Sequence, residues 1–414
     1  MNTAAVKKYI FDHWKDTVRT PDDVIRGNVR IPCNFTVPCA KEVFTDFYYW
    51  DTYFTNLGLM ISGLWDQVKS NLDVMAFFVD LLGYVPNANH ITDRSQPPLF
   101  TRAVFDLYKA TGDRSVPEKY IGRLLREHDF FANKRTHASG LSSYSTAMTD
   151  GELQGGAWIF GRVGEPAPAD REGVIRLSKN LYSIAESGWD FNPRFNTREG
   201  RFRTDEFYHL DLNCLLLDEE RKIAFLLREL GREDEAAVFD RFAEKRSRLI
   251  VSFLFDKERG IYLDYNFKNG EFSETISAAS FYPYFAGVVN EAEDRKAGAA
   301  KLLKALELPH GLAACCERPG EAYLQWDYPA MWPSNVYFAV EALEACGLSE
   351  DAQRIARKYV ETVTGCFEKT GSLWEKYDAA SGGVSVTGEY ETPQMLGWTA
   401  GVYLYLCEKP YLDL

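Results

Sequence analysis

Apolar residues recur at helical spacing along most of this 414-residue chain. One apolar face advances by steps of four, three, four and three residues: Val68, Leu72, Met75, Val79 and Leu82. Such steps place the side chains on one side of a helix, and a glycine directly after them suits the helix C-terminus. Two further faces share this pattern, at 212–230 and 336–343. The sequence therefore predicts a chain built mainly from amphipathic helices, each burying one apolar stripe.

Three predicted helix ends look alike, and each precedes an acidic segment that suits the start of another helix: Thr111-Gly112-Asp113, Leu230-Gly231-Arg232 and Cys346-Gly347-Leu348. The recurrence indicates helical hairpins stacked in series. Strand-like segments are limited to short hairpins, such as 262–272 with a turn at Asn269-Gly270. The regular alternation of strand and helix in a βα barrel is absent from the sequence. We predict a single all-α toroid over 1–414, in which 1–40 is an N-terminal lead-in.

Charge and hydropathy exclude several kinds of partner. Lys and Arg number 47 against 60 Asp and Glu, so the net charge of −13 offers no basic surface for phosphate backbones. We therefore expect no nucleic-acid partner. No apolar run reaches the roughly 18 residues that span a bilayer, so we expect no membrane partner. Residues 1–8 lack the charged-then-apolar order of a signal peptide, and we expect a cytoplasmic protein.

Cysteine and histidine are dispersed along the chain. The eight cysteines include no Cys-x-x-Cys pair and the six histidines no His-x-x-x-His pair, which are spacings typical of redox and zinc sites. Several cysteines lie in apolar helical stretches, where a thiol packs like a small apolar side chain. We expect buried thiols, no metal ion and no cofactor.

Five segments between the predicted helices combine aromatic residues with amides and carboxylates: 47–53, 84–98, 186–195, 325–334 and 374–390. Aromatic faces stack on the C–H faces of sugar rings, while amides, carboxylates and arginine bind hydroxyl groups. The mixture favours a carbohydrate site. Aromatic rings at helix ends and polar caps in turns have the same composition, so both interpretations stay open at this point.

Six motifs occur in these segments: Tyr48-Tyr49-Trp50-Asp51-Thr52-Tyr53, Pro86-Asn87, Arg94-Ser95-Gln96-Pro97-Pro98, Glu186-Ser187-Gly188-Trp189-Asp190, Gln325-Trp326-Asp327-Tyr328-Pro329 and Glu375-Lys376-Tyr377-Asp378. In this order they resemble the signatures of trehalase, glycoside hydrolase family 37. Their shared order over most of the chain makes the resemblance specific. It implies an (α/α)6 toroid of six helical hairpins with short β-hairpins in the rim loops. It also implies an inverting glycosidase that acts on trehalose or another small α-glucoside.

The resemblance further implies the roles of individual residues. Asp190 matches the general acid and Glu375 the general base of a hydrolysis that uses no metal or cofactor. Inversion requires two such carboxyl groups about 6.5–9.5 Å apart, on opposite faces of the sugar ring. The residues implied to bind the substrate are Trp50, Asp51, Asn87, Arg94, Ser95, Gln96, Arg162, Gly188 and Glu389.

The acid and the base have opposite electrostatic requirements. The acid must keep its proton near neutral pH, and the neighbours Trp189 and Phe191 suit an apolar wall around Asp190. The base must stay ionised, and the neighbouring Lys376 favours the charged form of Glu375.

The sequence departs from the family pattern in the segments implied to bind the second sugar. Val43 stands in place of an arginine and Asp46 in place of a glutamate, and the loop at 88–93 is shorter. Because losing a polar contact changes selectivity strongly, these departures predict an altered leaving group.

Three alternatives to a trehalase-like hydrolase stay open. The first is a family 63-type hydrolase of glucosyl- or mannosylglycerate, whose anionic aglycone would bind Lys41, Arg162 or His90. The second is an (α/α)6 sugar epimerase, and the third is a pseudoenzyme that only binds carbohydrate.

Overall fold

The computed structural model describes residues 2–23, 26–27, 29–41, 43–198, 200–288, 294–385 and 390–412. These residues form fourteen α-helices: α1 Thr3–His13, α2 Tyr49–Ile61, α3 Trp65–Leu82, α4 Phe100–Thr111, α5 Ser115–Lys134, α6 Asp150–Gly155, α7 Arg171–Glu186, α8 Leu210–Glu229, α9 Glu233–Leu254, α10 Tyr282–Phe285, α11 Arg295–Leu306, α12 Pro333–Ala345, α13 Ser349–Thr370 and α14 Gly397–Cys407. The strands are short pieces: β1 Val18–Arg19, β2 Phe35–Thr36, β3 Phe207–Tyr208, β4 Phe255–Asp256, β5 Ile261–Tyr262, β6 Tyr265–Asn266, β7 Glu271–Phe272, β8 Glu307–Leu308, β9 Gly311–Leu312, β10 Ala330–Met331 and β11 Tyr377–Asp378.

Twelve of the helices form six hairpins around a ring. The inner helices are α2, α4, α8, α10, α12 and α14; each contacts the next, and α14 closes the ring against α2. The outer helices α3, α5, α9, α11 and α13 each follow an inner helix along the chain. The sixth outer position belongs to α1, which packs against α13. This arrangement confirms the predicted (α/α)6 toroid.

The glycine breaks seen in the sequence are the turns of these hairpins. Gly112, Gly231 and Gly347 have φ angles of 64°, 76° and 71°, in the left-handed region that glycine enters without a Cβ clash. They join α4 to α5, α8 to α9 and α12 to α13. The prediction of stacked helical hairpins is therefore confirmed.

The predicted β-hairpin at 262–272 forms only in its second half. Strands β6 and β7 pair antiparallel around Gly270, with Tyr265 opposite Phe272. Tyr262 pairs instead with Phe255 in the hairpin of β4 and β5. The reason is proximity along the chain, since β4 directly follows helix α9 and reaches β5 after one short turn at Gly260.

The topology brings the aromatic and polar segments to one end of the ring. Each inner helix is followed by an outer helix that returns, so the N-termini of the inner helices lie at the same end. The segments 47–53, 84–98, 325–334 and 374–390 lead into α2, α4, α12 and α14. The segment 186–195 reaches this end through an insertion between α5 and α8, which contains α6, the 3-10 helix Ala157–Val163 and α7.

Two further predictions concern buried thiols and membrane spans. All eight cysteines are free thiols, and six of them are buried. Among the described helices, none has the length and apolarity to cross a membrane.

The contact that closes the ring requires two glycines. A Cβ on Gly401 of α14 would lie 1.9 Å from the carbonyl oxygen of Phe54 in α2, and one on Gly58 would lie 2.8 Å from the Cα of Gly401. Both distances are shorter than any real contact, so the two helices pack backbone against backbone.

We predict that Gly401→Ala lowers the free energy of unfolding by about 1–3 kcal/mol, because the helices must separate to admit the methyl group. The matched control is Gly122→Ala, inside α5, where an added Cβ meets nothing within 4 Å. That variant should gain about 0.5–1 kcal/mol from helix propensity. Urea denaturation of both variants measures the difference, and equal stabilities would contradict the close packing.

Candidate active site

A cavity of about 340 Å³ opens at the end of the ring where the inner helices begin. Nine of the eleven residues predicted from the sequence line it: Trp50, Asp51, Asn87, Arg94, Gln96, Arg162, Gly188, Asp190 and Glu375. Ser95 lies outside the cavity wall, and Glu389 lies outside the described residues. The tertiary structure thus brings together side chains from five separate segments of the chain.

Two cavity residues come from the start of helix α2, and they are fixed by neighbouring segments. Trp50 and Asp51 lie in its first turn, and the Trp50 backbone N–H donates to Gln96 Oε1 over 3.1 Å. Gly188 has a φ of 75°, and a Cβ there would lie 2.7 Å from the Trp50 ring. The close contact explains why glycine occupies this position beside the cavity.

Ser95 supports the loop that contains Asn87 and Gln96. Its hydroxyl donates to the Val85 carbonyl over 2.7 Å, and its backbone N–H donates to Glu186 over 2.9 Å. Glu186 is buried and bound by the Arg135 guanidinium through two contacts of 2.7 Å. These bonds use the polar groups of Ser95 inside the protein, which explains why the residue does not reach the cavity.

Four tryptophans form a large aromatic surface in the buried part of the cavity. Trp326 and Trp332 stack with ring centroids 3.7 Å apart, and Trp50 and Trp398 contact Trp326 at 5.5 Å and 6.0 Å. All four rings are buried and line the cavity. Flat aromatic surfaces of this kind suit the C–H face of a pyranose ring.

Ten lining residues were missed as site residues: Phe44, Tyr48, Ile91, Trp158, Ala185, Trp326, Trp332, Tyr390, Met395 and Trp398. Trp326 lies inside a motif that carried the resemblance, so its role was within reach of the sequence. Trp158 lies outside every motif, and only the tertiary structure places it here.

Glu375 is almost completely buried, with 2% of its surface exposed. Its Oε1 accepts a hydrogen bond of 2.7 Å from the Tyr390 hydroxyl, while Oε2 has no hydrogen-bond partner among the described residues. Burial raises the pKa of Glu375 to about 7, although Lys376 and the Tyr390 hydroxyl lower it and Asp190 raises it. The carboxyl group therefore changes charge near neutral pH.

Lys376 places a buried positive charge beside this carboxyl group. Its Nζ lies 5.0 Å from the Trp332 ring centroid and 5.4 Å from that of Tyr390, in two cation–π contacts. The sequence-based expectation that Lys376 favours the charged form of Glu375 has the right direction. The desolvation of Glu375 is the larger effect, so its pKa still rises.

Asp51 is a third carboxyl group in the cavity. Burial raises its pKa to about 8, and the charges of Glu375 and Asp190 act in the same direction. Like charges gathered in one cavity disfavour one another, which keeps a proton on Asp51 at neutral pH.

Asp190 differs from the environment expected of it. Its carboxylate accepts a 2.8 Å hydrogen bond from Arg162, whose guanidinium lies 4.8 Å from the Phe191 ring centroid. Trp189 is fully buried and contacts Trp326 and Arg194 instead of forming a cavity wall. The immediate neighbour of Asp190 is therefore a cation rather than an apolar wall. The pair is partly exposed, at 28% and 29%, so solvent screens it.

The described residues contain no group of three or more His, Cys, Asp or Glu side chains placed to hold a metal ion. What the cavity does offer is three carboxyl groups, amides and arginines for hydroxyl groups, and a tryptophan surface for a sugar ring. Within an (α/α)6 toroid, this arrangement suits a glycosidase.

Comparison with known proteins identifies the family. The family model described as Trehalase matches residues 3–410, so the chain belongs to the trehalase family. It is 29% identical to the periplasmic trehalase of Salmonella dublin, over 98% of this chain and 73% of that protein. A second relative, from Salmonella choleraesuis, has the same identity and the same coverage of both chains.

Solved structures share the fold. The neutral trehalase of Saccharomyces cerevisiae has a TM-score of 0.72 and 24% identity, covering 90% of this chain and 73% of that one. A family 63 mannosylglycerate hydrolase from Thermus thermophilus, in complex with Tris and D-glycerate, has a TM-score of 0.68 and 16% identity. The match covers 97% of this chain and 99% of that one.

The predicted cytoplasmic location is wrong, since the relatives from Salmonella are named periplasmic trehalases. That prediction used the lack of a signal-peptide pattern in residues 1–8 and of a long apolar run. The names of the relatives overturn it.

We predict that Asp51→Asn reduces the pH dependence of stability. The folded pKa of Asp51 is raised from 3.8 to about 8, so its contribution to stability is complete below pH 4 and is lost as pH rises through 8. Between pH 5 and pH 9 the free energy of unfolding should fall in the wild type. In the variant this fall should be smaller, by an amount on the order of 3–4 kcal/mol. Urea denaturation across this range measures it.

The control for this prediction is Asp66→Asn, since Asp66 lies in the first turn of helix α3 and is exposed. The free energy of unfolding of Asp66→Asn should change with pH as that of the wild type does. An unchanged pH dependence in Asp51→Asn would contradict the raised pKa.

Proposed function

We propose that this chain is an inverting α-glucosidase, a single catalytic domain that hydrolyses trehalose or another small α-glucoside. Family membership and the trehalase relatives support this proposal. The observation that carries it is the pairing of Asp190 and Glu375, from separate segments of the chain, in one cavity with a tryptophan surface. Inversion requires one carboxyl group to protonate the leaving oxygen and another to activate water on the opposite face of the sugar.

In the proposed reaction Glu375 is the general base. Tyr390 occupies its Oε1, so Oε2 is the atom that would accept a proton from the attacking water. Water attacks the anomeric carbon while the bond to the aglycone oxygen breaks. An α-glucoside then yields β-glucose.

Asp190 is the proposed general acid, and it donates its proton to the oxygen of the leaving group. Arg162 must release the Asp190 carboxylate before that carboxylate takes up a proton. The partial exposure of both side chains makes this ion pair weak enough to exchange when a substrate enters.

The two segments that depart from the family pattern contact each other beside the cavity. Asp46 is buried, accepts a hydrogen bond of 3.3 Å from Asn89 and lies 3.7 Å from His90. It does not line the cavity. The carboxylate at this position therefore stabilises the shortened loop. Since it does not line the cavity, the proposed substrates include small α-glucosides besides trehalose.

The cations considered for a glycerate aglycone offer little support for that alternative. Lys41 lines a different cavity, beside His13 and Asp16. His90 lies outside the wall of the active-site cavity, and Arg162 is paired with Asp190. A trehalase-like hydrolase is therefore favoured over a hydrolase of anionic glycosides.

We predict that Asp190→Asn and Glu375→Gln each reduce glucose release from trehalose by about 10²–10⁴-fold, because each removes one half of the acid–base pair. The two variants should differ on α-glucosyl fluoride, whose fluoride leaves without protonation. There Asp190→Asn should recover most of its activity, and Glu375→Gln should stay inactive. Proton NMR of the wild-type hydrolysis of α-glucosyl fluoride should show β-glucose as the first product.

Circular dichroism of both variants controls for folding. Wild-type rates in either variant would contradict the assignment of that residue, and recovery by Glu375→Gln alone would show that the two roles are exchanged. A first product of α-glucose from α-glucosyl fluoride would contradict inversion.

We further predict that Tyr390→Phe moves the acid limb of the kcat/KM profile to higher pH. Glu375 must be ionised to act as base, so activity should rise with pH through its pKa of about 7. Removing the Tyr390 hydroxyl removes a hydrogen bond that lowers this pKa, and the limb should shift upward by up to about one pH unit. Tyr323→Phe, outside the cavity wall, should leave the profile unchanged. A downward shift in Tyr390→Phe would contradict the proposed base.

A further inference from the structure

The active-site cavity has a buried half and an exposed half with different chemistry. Gln96, Asn87 and Glu375 are all less than 9% exposed, and they surround the tryptophan surface. The residues towards solvent include Trp158 and Tyr390, which are 67% and 37% exposed. Polar recognition is therefore concentrated at the inner end, where one sugar ring would bind.

Trp158 is exposed to an unusual degree for a tryptophan, a residue type that is highly buried on average. It lies in the 3-10 helix Ala157–Val163, four residues before Arg162, and it lines the active-site cavity. Its ring is therefore open both to solvent and to the cavity. An exposed aromatic face of this kind is available to stack on a flat ligand.

Aromatic side chains continue around the opening. Phe44 packs edge-on against Tyr48 at 5.5 Å and against Tyr390 at 5.9 Å. Its φ of 54° lies in the left-handed region, which an aromatic residue adopts at an energetic cost. These contacts therefore hold the Phe44 ring at the cavity wall against a local preference for another conformation. The adjoining Val43 is also exposed, at 43%.

The two arginines of the described cavity wall are already paired with carboxylates. The charged side chains lining the described cavity wall are Asp51, Arg94, Arg162, Asp190 and Glu375. Arg162 and Asp190 bind each other, and Arg94 is buried and pairs with Asp93 over 2.7 Å. Among the described residues, the exposed half thus offers a leaving group mainly aromatic faces.

We propose that the exposed half of the cavity, formed by Phe44, Trp158 and Tyr390, is a leaving-group subsite that binds aglycones through an apolar or aromatic face. This inference rests on the proposed function. It makes the preferred substrates α-glucosides with an aromatic aglycone, or one that presents an apolar ring face. Stacking on Trp158 supplies the binding.

The test compares substrates that share the glucose and differ in the aglycone: p-nitrophenyl α-glucoside, methyl α-glucoside, trehalose and glucosylglycerate. The wild type should have a clearly lower KM for the nitrophenyl than for the methyl compound. Trp158→Ala should raise the nitrophenyl KM about two- to tenfold and leave the methyl KM unchanged, since only the first aglycone stacks. Trp158→Phe should restore most of the loss.

Trp65→Ala is the matched control, because Trp65 is also exposed but begins helix α3, away from the cavity. It should change neither KM. A Trp158→Ala variant that raises both KM values equally would show a structural role and overturn the proposal. So would equal wild-type KM values for the two compounds, or a preference for glucosylglycerate.

Trehalose hydrolysis separates this inference from the function on which it rests. Glucose released from trehalose, with a nitrophenyl KM that Trp158→Ala does not change, overturns the subsite alone. No glucose from any of the four compounds overturns both the proposed function and the subsite.

Discussion

The closure of the inner ring is the constraint on which the rest of the structure depends. Helix α14, near the end of the chain, packs against α2, the first inner helix, at a distance that only Gly58 and Gly401 permit. This contact brings the loop before α14, with Glu375 at its start, next to the first turn of α2, with Trp50 and Asp51. Without it, the proposed base and the proposed sugar-binding residues would lie at opposite ends of an open array of hairpins.

The same closure creates the electrostatics of the cavity. Once the ring is complete, Asp51 and Glu375 are buried together, and desolvation raises the pKa of both. Lys376, held between two aromatic rings, compensates part of this effect at Glu375. The charge of Glu375 therefore depends on a balance between its own desolvation and the buried Lys376 cation. Both effects arise only when the helices pack, so the sequence does not reveal them.

Sequence reasoning located the cavity well but described its environments incompletely. Nine of the eleven predicted residues line the cavity, because motifs that are recognisable by their shared order along the chain meet in space. Ser95 stays outside, since its hydrogen bonds to Val85 and Glu186 are contacts that a motif does not show. The sequence predicted Arg162 as a substrate-binding residue but not as the hydrogen-bonded partner of Asp190, because Arg162 reaches Asp190 from an insertion between two hairpins.

The sequence by itself determined the helices, the hairpin turns and the family. Apolar periodicity fixes which face of a helix is buried, and a glycine in the left-handed region fixes where it ends, so both are local properties. The tertiary structure alone decided which rings line the cavity and which carboxyl groups change charge near neutral pH. Trp158 belongs to no motif, and the pKa values of Asp51 and Glu375 follow from burial and from neighbours distant in the chain. Desolvation and charge proximity arise only when separate segments come together, which is why a linear pattern of residues does not contain them.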